Sequence, residues 1–486
     1  MYYKLKPQYR LRGWDKLPCA IEDRQKHSVR FISPLKMETL KLCTGTIDLS
    51  LVLIPEEIRQ LIPELEKEEL IVPCQPGDGI LPIQEYRQYP CRYIQTAHWS
   101  VTGGCNYRCK HCYMSAPEAR FGQLDRGTVL RMAREIADCG IMNVSLTGGE
   151  PLIRPDFLDI VDTLLEGGVR ITQIYSNGAL VNESLLQALD RRNIHPEFNM
   201  SFDGVGWHDW LRGVPGAEEA VDRAFCLCRD MGFPTGAEMC IHRANLHTLR
   251  ATMNHLRNVG CRWVKTCPVA DAGEWRKNGY GESIGIRELF QAYLDYIPQY
   301  YEDGMPVSIM LGGFFSARPD QPQEYDVPLY HLPTEPGKCV VCAHARHVMY
   351  ISPEGRALPC MSLTGSSAQE RFPLIPDMGL ARCITDSRYM DFIDTRADQV
   401  LAHNPECTRC EFRLWCQGGC RASGLADSGD LNDLLCRDPA SCELFRGGWI
   451  AKIMRLMQRI MPGAESLLLK DEYWKAQSSD PPYVMG

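Results

Sequence analysis

The sequence predicts an α/β fold: an open partial barrel of six parallel strands, preceded by a winged-helix-like domain and followed by a cysteine-rich domain. Strand and helix patterns alternate from about residue 95 to 305, three cysteines follow the first of these strands, and more cysteines crowd the region beyond residue 335. Repeated strand–helix units favour parallel strands joined by right-handed crossovers.

Residues 1–73 predict a small separate domain. Strand character is found in "YRLRGW" and "HSVRFI", helical periodicity in "LKMETLKLC" and "PEEIRQLIPELEKEEL", and a closing strand in "LIVP". Pro63 interrupts the second helical pattern, which predicts two short helices or one kinked helix. This order predicts a winged-helix-like module, and the turn-rich "QPGDGILP" marks a linker over residues 74–94.

Residues 95–310 predict the partial barrel. The candidate strands are "TAHWSV", "NVSLT", "ITQIYS", "EFNMSF", "TGAEMCI" and "RWVKTC". Six units are too few for a closed eight-fold barrel, and chemistry in such folds sits on loops after the carboxyl ends of the strands. The cysteines follow the first strand there, and "GGEP", "SNG" and "SFDG" follow the second, third and fourth. We therefore expect these four elements on one rim.

Cys105, Cys109 and Cys112 predict a metal site with one open position. A [4Fe–4S] cluster normally takes four thiolates, so three cysteines leave one iron free for a ligand from outside the protein. An open position on a metal is typical of a catalytic site. The alternative is a zinc knuckle that His111 completes.

This pattern, CxxxCxxC after the first strand and GGE after the second, resembles the radical S-adenosyl-L-methionine (SAM) superfamily. The resemblance implies that SAM completes the cluster through its amino and carboxylate groups. It further implies that Gly148, Gly149 and Glu150 hold the SAM amino group and that Ser201 and Asp203 contact the ribose. Such enzymes cleave SAM reductively, and the resulting 5′-deoxyadenosyl radical abstracts hydrogen from an unactivated carbon.

The region over residues 335–445 resembles the SPASM domain of peptide-modifying radical SAM enzymes. Its cysteines read Cys342-x12-Gly355-x4-Cys360, then Cys407-x2-Cys410-x5-Cys416-x3-Cys420, then Cys436. The resemblance implies two auxiliary [4Fe–4S] clusters, three in all. The implied ligands are Cys339, Cys342, Cys360 and Cys420 for the first, and Cys407, Cys410, Cys416 and Cys436 for the second, with Cys442 a rival for the last place. Two structural zinc sites are the alternative.

Sulfatase maturases of this family carry aspartate directly after the cysteine that matches Cys360, where this chain has Met361. That departure puts sulfatase maturation in doubt. Residues 446–486 predict a C-terminal helix and tail. The first 73 residues resemble, by layout, PqqD-like peptide-recognition domains, which implies a leader peptide added to a sheet edge. A structural cap without a ligand is the alternative.

Composition narrows the class of protein. The 486 residues carry a net charge of −8, which argues against a nucleic-acid partner. The N-terminus is not a signal peptide, and no run of about 18 apolar residues predicts a membrane span. A cytoplasmic protein follows, in which the 23 cysteines are metal ligands or reduced core residues. The remaining single cysteines in apolar patterns are interpreted as buried small hydrophobes, among them Cys139, Cys226, Cys228 and Cys240.

The favoured function is a peptide maturase that forms a thioether or carbon–carbon cross-link in a precursor peptide bearing a leader. An electron donor such as flavodoxin or ferredoxin would reduce it, and peptide epimerisation or decarboxylation would use the same parts. One alternative is a radical SAM enzyme acting on a small molecule such as a tetrapyrrole. The other is a non-enzymatic iron–sulfur protein, which the GGE element argues against.

Overall fold

A computed structural model describes residues 1–118, 120–278, 283–327, 335–364, 367–428 and 434–467. The chain forms two compact units. Met1–Tyr93 and Asp138–Gly140 belong to the first, and the remaining described residues from Ile94 onwards belong to the second.

The first unit combines two small sheets with two helices. Its elements are β1 (Tyr3–Leu5), β2 (Tyr9–Trp14), β3 (Leu17–Asp23), β4 (Ser28–Phe31), α1 (Pro34–Leu42), α2 (Glu56–Lys67), β5 (Ile71–Pro73) and β6 (Arg87–Gln88). β1 pairs with β5, and the larger sheet has the order β4-β3-β2-β6. α2 is one helix that contains Pro63. Leu11 and Ile21 of the sheet pack with Met37, Leu40 and Leu65 of the helices in a common core.

The sequence patterns do not predict β3. It follows β2 through a tight turn at Asp15 and Lys16, where Lys16 has a φ of 63°. The strand includes a proline and two acidic residues, so its hydrophobic alternation is weak. Pairing with β2 on one side and β4 on the other nevertheless holds it in the sheet.

Residues 82–93, predicted as part of a linker, belong to the first unit instead. The side-chain amide of Gln84 donates hydrogen bonds to the carbonyl oxygens of Lys6, at 2.9 Å, and Tyr9, at 3.2 Å. β6 then pairs in parallel with β2. The turn-rich residues before this segment predict a linker, but the segment itself is hydrogen-bonded to the sheet.

The second unit is built on one large sheet. Its strands are β7 (Thr96–Ser100), β8 (Asn143–Thr147), β9 (Arg170–Ser176), β10 (Glu197–Ser201), β11 (Thr235–Ile241), β12 (Trp263–Pro268), β13 (Ser308–Leu311), β14 (Phe315–Ala317), β15 (Glu324–Asp326), β16 (Val348–Ile351), β17 (Ala357–Leu358) and β18 (Glu465–Ser466). The sheet order is β17-β16-β7-β8-β9-β10-β11-β12-β13-β14-β15-β18.

The six predicted strands are β7 to β12, and each pairs in parallel with the next. The prediction of an open α/β sheet is confirmed, because the strand order is linear and does not close into a ring. The sheet is wider than predicted. β13 continues it in parallel beside β12, and β16 joins in parallel beside β7.

Helices join and flank these strands. They are α3 (Arg126–Asp138), α4 (Phe157–Glu166), α5 (Glu183–Asp190), α6 (His208–Arg212), α7 (Ala217–Asp230), α8 (Leu249–Val259), α9 (Gly273–Asn278), α10 (Ile286–Glu302), α11 (His344–His347), α12 (Ile375–Met378), α13 (Leu380–Cys383), α14 (Ser387–Ile393), α15 (Ala397–His403), α16 (Pro405–Thr408), α17 (Arg413–Cys416), α18 (Arg421–Ser428), α19 (Pro439–Arg446) and α20 (Trp449–Ile460).

The longer helices bury one apolar stripe each, as amphipathic periodicity requires. In α8 this stripe includes Leu249, Met253 and Leu256, and the helix stops at Gly260 with a φ of 96°. The predicted C-terminal helix corresponds to α20, whereas residues 468–486 of the predicted tail lie outside the described residues. Among the described helices, none combines the length and apolar character needed to cross a membrane.

Candidate active site

A cavity opens at the carboxyl ends of β7 to β11, where parallel strands place their following loops side by side. Its empty space is about 1130 Å³, counting the open mouth. Six of the eight residues predicted for the catalytic site line it: Cys105, Cys109, Cys112, Gly148, Gly149 and Ser201. Ser176 and Asn177 of the predicted rim line it as well. The structure thus brings together elements that are up to about 100 residues apart in the chain.

Each of the three cysteine sulfurs accepts a hydrogen bond from a nitrogen donor. The backbone N–H of Tyr107 donates to Cys105 Sγ at 3.3 Å, and that of Ala116 donates to Cys112 Sγ at 3.3 Å. The Arg212 guanidinium donates to Cys109 Sγ at 3.8 Å. Such donors favour thiolates, the form that binds metal. The donor set therefore fits an iron–sulfur cluster.

Burial opposes ionisation of the Cys105 and Cys109 thiols when no metal is bound. It raises the pKa of Cys105 to about 12, which the Tyr107 N–H partly offsets. Burial also raises the pKa of Cys109, and the Arg212 guanidinium lowers it. Metal binding must therefore displace protons from this site.

Gly148 and Gly149 allow the loops after β7 and β8 to meet through their backbones. The N–H of Gly149 donates to the carbonyl oxygen of Thr102 at 2.8 Å, and the N–H of Glu150 donates to that of Gly104 at 2.9 Å. A Cβ at position 149 would lie 2.1 Å from the Gly104 oxygen, and one at position 148 would lie 2.7 Å from the Thr102 oxygen. Only glycine permits this approach, which exposes main chain to the cavity.

The Glu150 carboxylate binds the loop after β9. It accepts hydrogen bonds from Asn177 N at 2.7 Å, from Leu152 N at 3.1 Å, and from the Ser176 hydroxyl at 3.1 Å. Glu150 is fully buried and is not among the cavity-lining residues. Burial raises its pKa to about 7, against the lowering effect of these donors. Its visible role is to hold the Asn177 loop in place.

We expect Glu150→Gln to destabilise the second unit by about 1–3 kcal/mol, the cost of leaving a buried donor unsatisfied. A glutamine amide presents one oxygen where the carboxylate presents two, so one of its present donors loses its partner. The thermal unfolding midpoint would measure the loss. Glu166→Gln, at an exposed position in α4, is the matched control and should leave the midpoint unchanged. An equal midpoint for both variants would contradict the proposed role of Glu150 in holding the Asn177 loop in place.

Asp203 lies beneath the site in a buried ion pair with Arg212, a residue that the sequence analysis did not single out. Arg212 Nε donates to one carboxylate oxygen at 2.6 Å, and Nη2 donates to the other at 3.1 Å. The backbone N–H of Cys240 also donates to the carboxylate, at 3.0 Å. Asp203 does not line the cavity, whereas Arg212 does. A buried aspartate needs a cationic partner, and this need was the signal in the sequence that could have pointed to Arg212.

His111, the alternative zinc ligand, is half-buried at the cavity wall. Burial lowers its pKa to about 3, so the ring is neutral. Its ligand atoms approach those of Asp203 and Cys240 within 4.8 Å. Both Asp203 oxygens are already hydrogen-bonded to Arg212, whose positive charge opposes a second cation there. These three residues therefore do not make a separate metal centre.

A second cavity, of about 420 Å³, lies in the cysteine-rich region. Four cysteines line it: Cys407, Cys410, Cys416 and Cys442. Arg437 Nη1 donates to Cys442 Sγ at 3.6 Å. Cys436, predicted in place of Cys442, is not among the lining residues; its carbonyl oxygen accepts a hydrogen bond from Arg421 at 2.7 Å.

Cys342, Cys360 and Cys420 form a separate group. Burial, together with the neighbouring Cys360 and Cys342, raises the pKa of Cys420 to about 12. The Cys339 thiol donates a hydrogen bond to the side-chain oxygen of Gln417, a residue that lines the second cavity. The two groups of thiols fit two further metal centres, since thiolate-only sites suit iron–sulfur clusters and zinc alike.

Comparison with known proteins adds three results. Residues 99–256 match the family model of the Radical SAM superfamily. The chain is 24% identical to a PqqA peptide cyclase of Granulibacter bethesdensis, over 68% of this chain and 83% of that protein, and 22% identical to an Fe-coproporphyrin III synthase of Methanosarcina barkeri, over 74% and 92%.

The third result is structural. The crystal structure of Streptococcus suis SuiB bound to precursor peptide SuiA has a TM-score of 0.63 and 14% sequence identity, covering 90% of this chain and 100% of that one. At this identity the similarity shows a shared fold.

Proposed function

We propose, on the premise that residues 99–256 of this chain are a radical SAM domain, that the protein is an enzyme that modifies a ribosomally made precursor peptide. The favoured modification is a cross-link, either a thioether from a cysteine or a carbon–carbon bond. The observation that carries this proposal is the convergence of Cys105, Cys109 and Cys112 with Gly148 and Gly149 on one cavity of about 1130 Å³.

The relatives favour a peptide substrate. One is named a PqqA peptide cyclase, and the SuiB structure contains a precursor peptide. In the first unit, β4 stands at one end of the order β4-β3-β2-β6, and among the described residues it pairs with β3 alone. A leader peptide could add to this edge as a further strand and raise the concentration of the core peptide at the active site.

In this proposal Cys105, Cys109 and Cys112 hold a [4Fe–4S] cluster, and SAM lies against the backbone of Gly148 and Gly149. Cluster and SAM together supply the one-electron chemistry that removes a hydrogen atom from an unactivated carbon. The protein supplies position and charge. The N–H groups of Tyr107 and Ala116 orient two sulfurs, and the Arg212 guanidinium offsets negative charge at Cys109.

Two auxiliary clusters complete the proposal. Cys407, Cys410, Cys416 and Cys442 hold one, because they line a single cavity. Cys342, Cys360 and Cys420, with Cys339, hold the other. An oxidative cross-link must also release an electron from the substrate, and further iron–sulfur centres give that electron a path. Reduction of the first cluster calls for a donor such as flavodoxin or ferredoxin, and the reduced thiols suit the cytoplasm.

Cys442→Ala is expected to remove about four of about twelve irons, whereas Cys436→Ala should retain them all. The reason is that Cys442 lines the cavity with three other cysteines and Cys436 does not. Iron and sulfide analysis of the anaerobically purified variants measures the difference. The reverse result, with iron lost only from Cys436→Ala, would restore the sequence-based assignment.

The function is tested by anaerobic co-expression with each short open reading frame adjacent to the gene. Peptide mass is recorded with the full precursor and with a precursor that lacks its leader. We expect loss of two hydrogens per modification, dependent on the leader, and tandem fragmentation should show which residues are joined. If the co-expressed peptides show neither a mass change nor deuterium uptake from heavy water, the proposal of a peptide substrate is wrong.

A tetrapyrrole substrate is the rival, which the similarity to an Fe-coproporphyrin III synthase favours. Incubation with SAM, dithionite and a panel of iron tetrapyrroles separates the two. A tetrapyrrole mass change coupled to 5′-deoxyadenosine, without any effect of peptides, would select the rival. Formation of 5′-deoxyadenosine in either assay excludes a non-enzymatic iron–sulfur protein.

A further inference from the structure

Two cysteines outside the proposed cluster sites form a pair at the wall of the active cavity. Cys240 of β11 and Cys267 of β12 are directly opposite each other in the parallel ladder. Their sulfurs lie 3.9 Å apart. Cys240 lines the cavity together with Cys105, Cys109 and Cys112, whereas Cys267 is not a lining residue. Cys240, interpreted from the sequence as a buried small hydrophobe, is instead half-buried and lines the cavity.

The geometry suits reversible oxidation of the pair. Neighbouring strands lie about 4.8 Å apart, within the range of Cα separations that a disulfide can span. The two sulfurs must approach each other by about 2 Å to form a bond. Rotation of the two side chains supplies most of this movement. The reduced pair places one thiol at the cavity and a second thiol within reach of it.

A thiol in this position has a chemical use that a metal ligand does not. The S–H bond is weaker than an aliphatic C–H bond, so a thiol gives a hydrogen atom readily to a carbon radical. O–H and N–H groups, whose bonds are stronger, do not. Among the groups that surround the cavity, the Cys240 thiol therefore differs from the hydroxyls of Ser176, Ser201 and Tyr175.

We propose that Cys240 is a hydrogen-atom donor to a carbon radical formed in this cavity, with Cys267 as the partner that closes a disulfide with it afterwards. The inference rests on the radical chemistry of the proposed function and deepens it. It does not depend on which peptide is modified.

The S–H bond of Cys240 breaks and a C–H bond forms at the radical carbon, which leaves one unpaired electron on the Cys240 sulfur. That sulfur bonds to Cys267, whose thiol releases a proton, and the extra electron passes to an oxidised iron–sulfur cluster of the same chain. A cellular dithiol reductant then returns two electrons and two protons to the pair.

The oxidation state of the pair then selects between two products. The reduced pair returns a hydrogen atom, and the substrate carbon leaves without net oxidation. The disulfide has no hydrogen to give, so the same radical proceeds to the oxidative cross-link. One cavity therefore accommodates both outcomes.

The test uses SAM as the only probe, without peptide. Full-length enzyme in D₂O, where thiols carry deuterium, receives SAM and a substoichiometric amount of dithionite, and the reaction is quenched with an alkylating agent. We expect 5′-deoxyadenosine that carries one deuterium, together with a Cys240–Cys267 disulfide in the peptide map. Hydrogen taken from carbon positions of the protein would introduce no deuterium.

Four variants make the assignment specific. Cys240→Ala and Cys240→Ser should both lose the deuterium and the disulfide, and agreement between them guards against misfolding of either. Cys267→Ala should keep the deuterium and lose the disulfide. Cys228→Ala, at a buried position in α7, should behave as the unmodified enzyme.

Unlabelled 5′-deoxyadenosine from the unmodified enzyme, or label that survives in both Cys240 variants, would overturn the inference and leave the proposed function standing. Absence of 5′-deoxyadenosine altogether would remove the radical SAM premise, and the inference with it.

Discussion

Replacement of Cys105, Cys109 or Cys112 by alanine is expected to abolish 5′-deoxyadenosine formation and to remove about four of about twelve irons. The three sulfurs share one cavity and each has its own N–H donor, so each is expected to be required as a cluster ligand. The auxiliary irons should remain, because their cysteines lie in separate groups. Chromatography of the nucleoside product and iron analysis measure both effects.

Cys228→Ala is the control for these variants. Cys228 is buried in α7 and is not a cavity residue, so its loss should leave iron content and product formation intact. A Cys112→Ala enzyme with full iron content and unchanged product would contradict the assignment. Iron loss from Cys228→Ala as well would show that the effect reports folding rather than ligation.

Asp203→Asn is expected to destabilise the second unit by about 3–5 kcal/mol, because it leaves the buried Arg212 charge uncompensated. Burial alone would raise the Asp203 pKa, but the Arg212 guanidinium and the neighbouring His208 hold it well below its usual range. A depressed carboxyl pKa contributes stability that is lost only as pH falls through that low value. The deficit should therefore stay constant from about pH 5 to pH 8.

The thermal unfolding midpoint at matched iron content measures this deficit. Asp159→Asn is the matched control, because it breaks an exposed ion pair with Arg126. The Asp159 side chain is 46% exposed and the Arg126 side chain is 63% exposed. Such a pair is worth about 1 kcal/mol at most. A deficit no larger for Asp203→Asn than for Asp159→Asn would show that the buried pair is not needed for stability.

The order of the six barrel strands could be predicted from the sequence because their patterns are local. Each strand is short and apolar, and a helix of regular periodicity follows most of them. The loops after those strands could be predicted to meet, since parallel strands end at one edge. β13 and β16 could not be assigned, because their pairing with β12 and β7 depends on contacts between distant parts of the chain.

The details of the site were harder to predict for the same reason. Spacing alone cannot choose between Cys436 and Cys442. In the structure, α19 carries Cys442 to the cavity, and Asp438 caps this helix by accepting a hydrogen bond from Ala440 N at 2.9 Å, which favours Cys442. The Asp438–Pro439 pair is a helix-start signal that could have located this helix. Arg212 gave no comparable signal apart from the need of Asp203 for a cation.

The backbone contact at Gly149 has a consequence for how this site can be altered. Any side chain at position 149 would clash with the Gly104 carbonyl oxygen. A single substitution is therefore not tolerated where the loops after β7 and β8 meet. Elsewhere the lining is formed by side chains, among them Tyr175, Asn199 and Glu238 on three successive strands, and a side chain on a strand can change size without bringing two main chains into contact. Engineering or divergence of substrate preference would therefore proceed through β9, β10 and β11, while the glycine wall stays fixed.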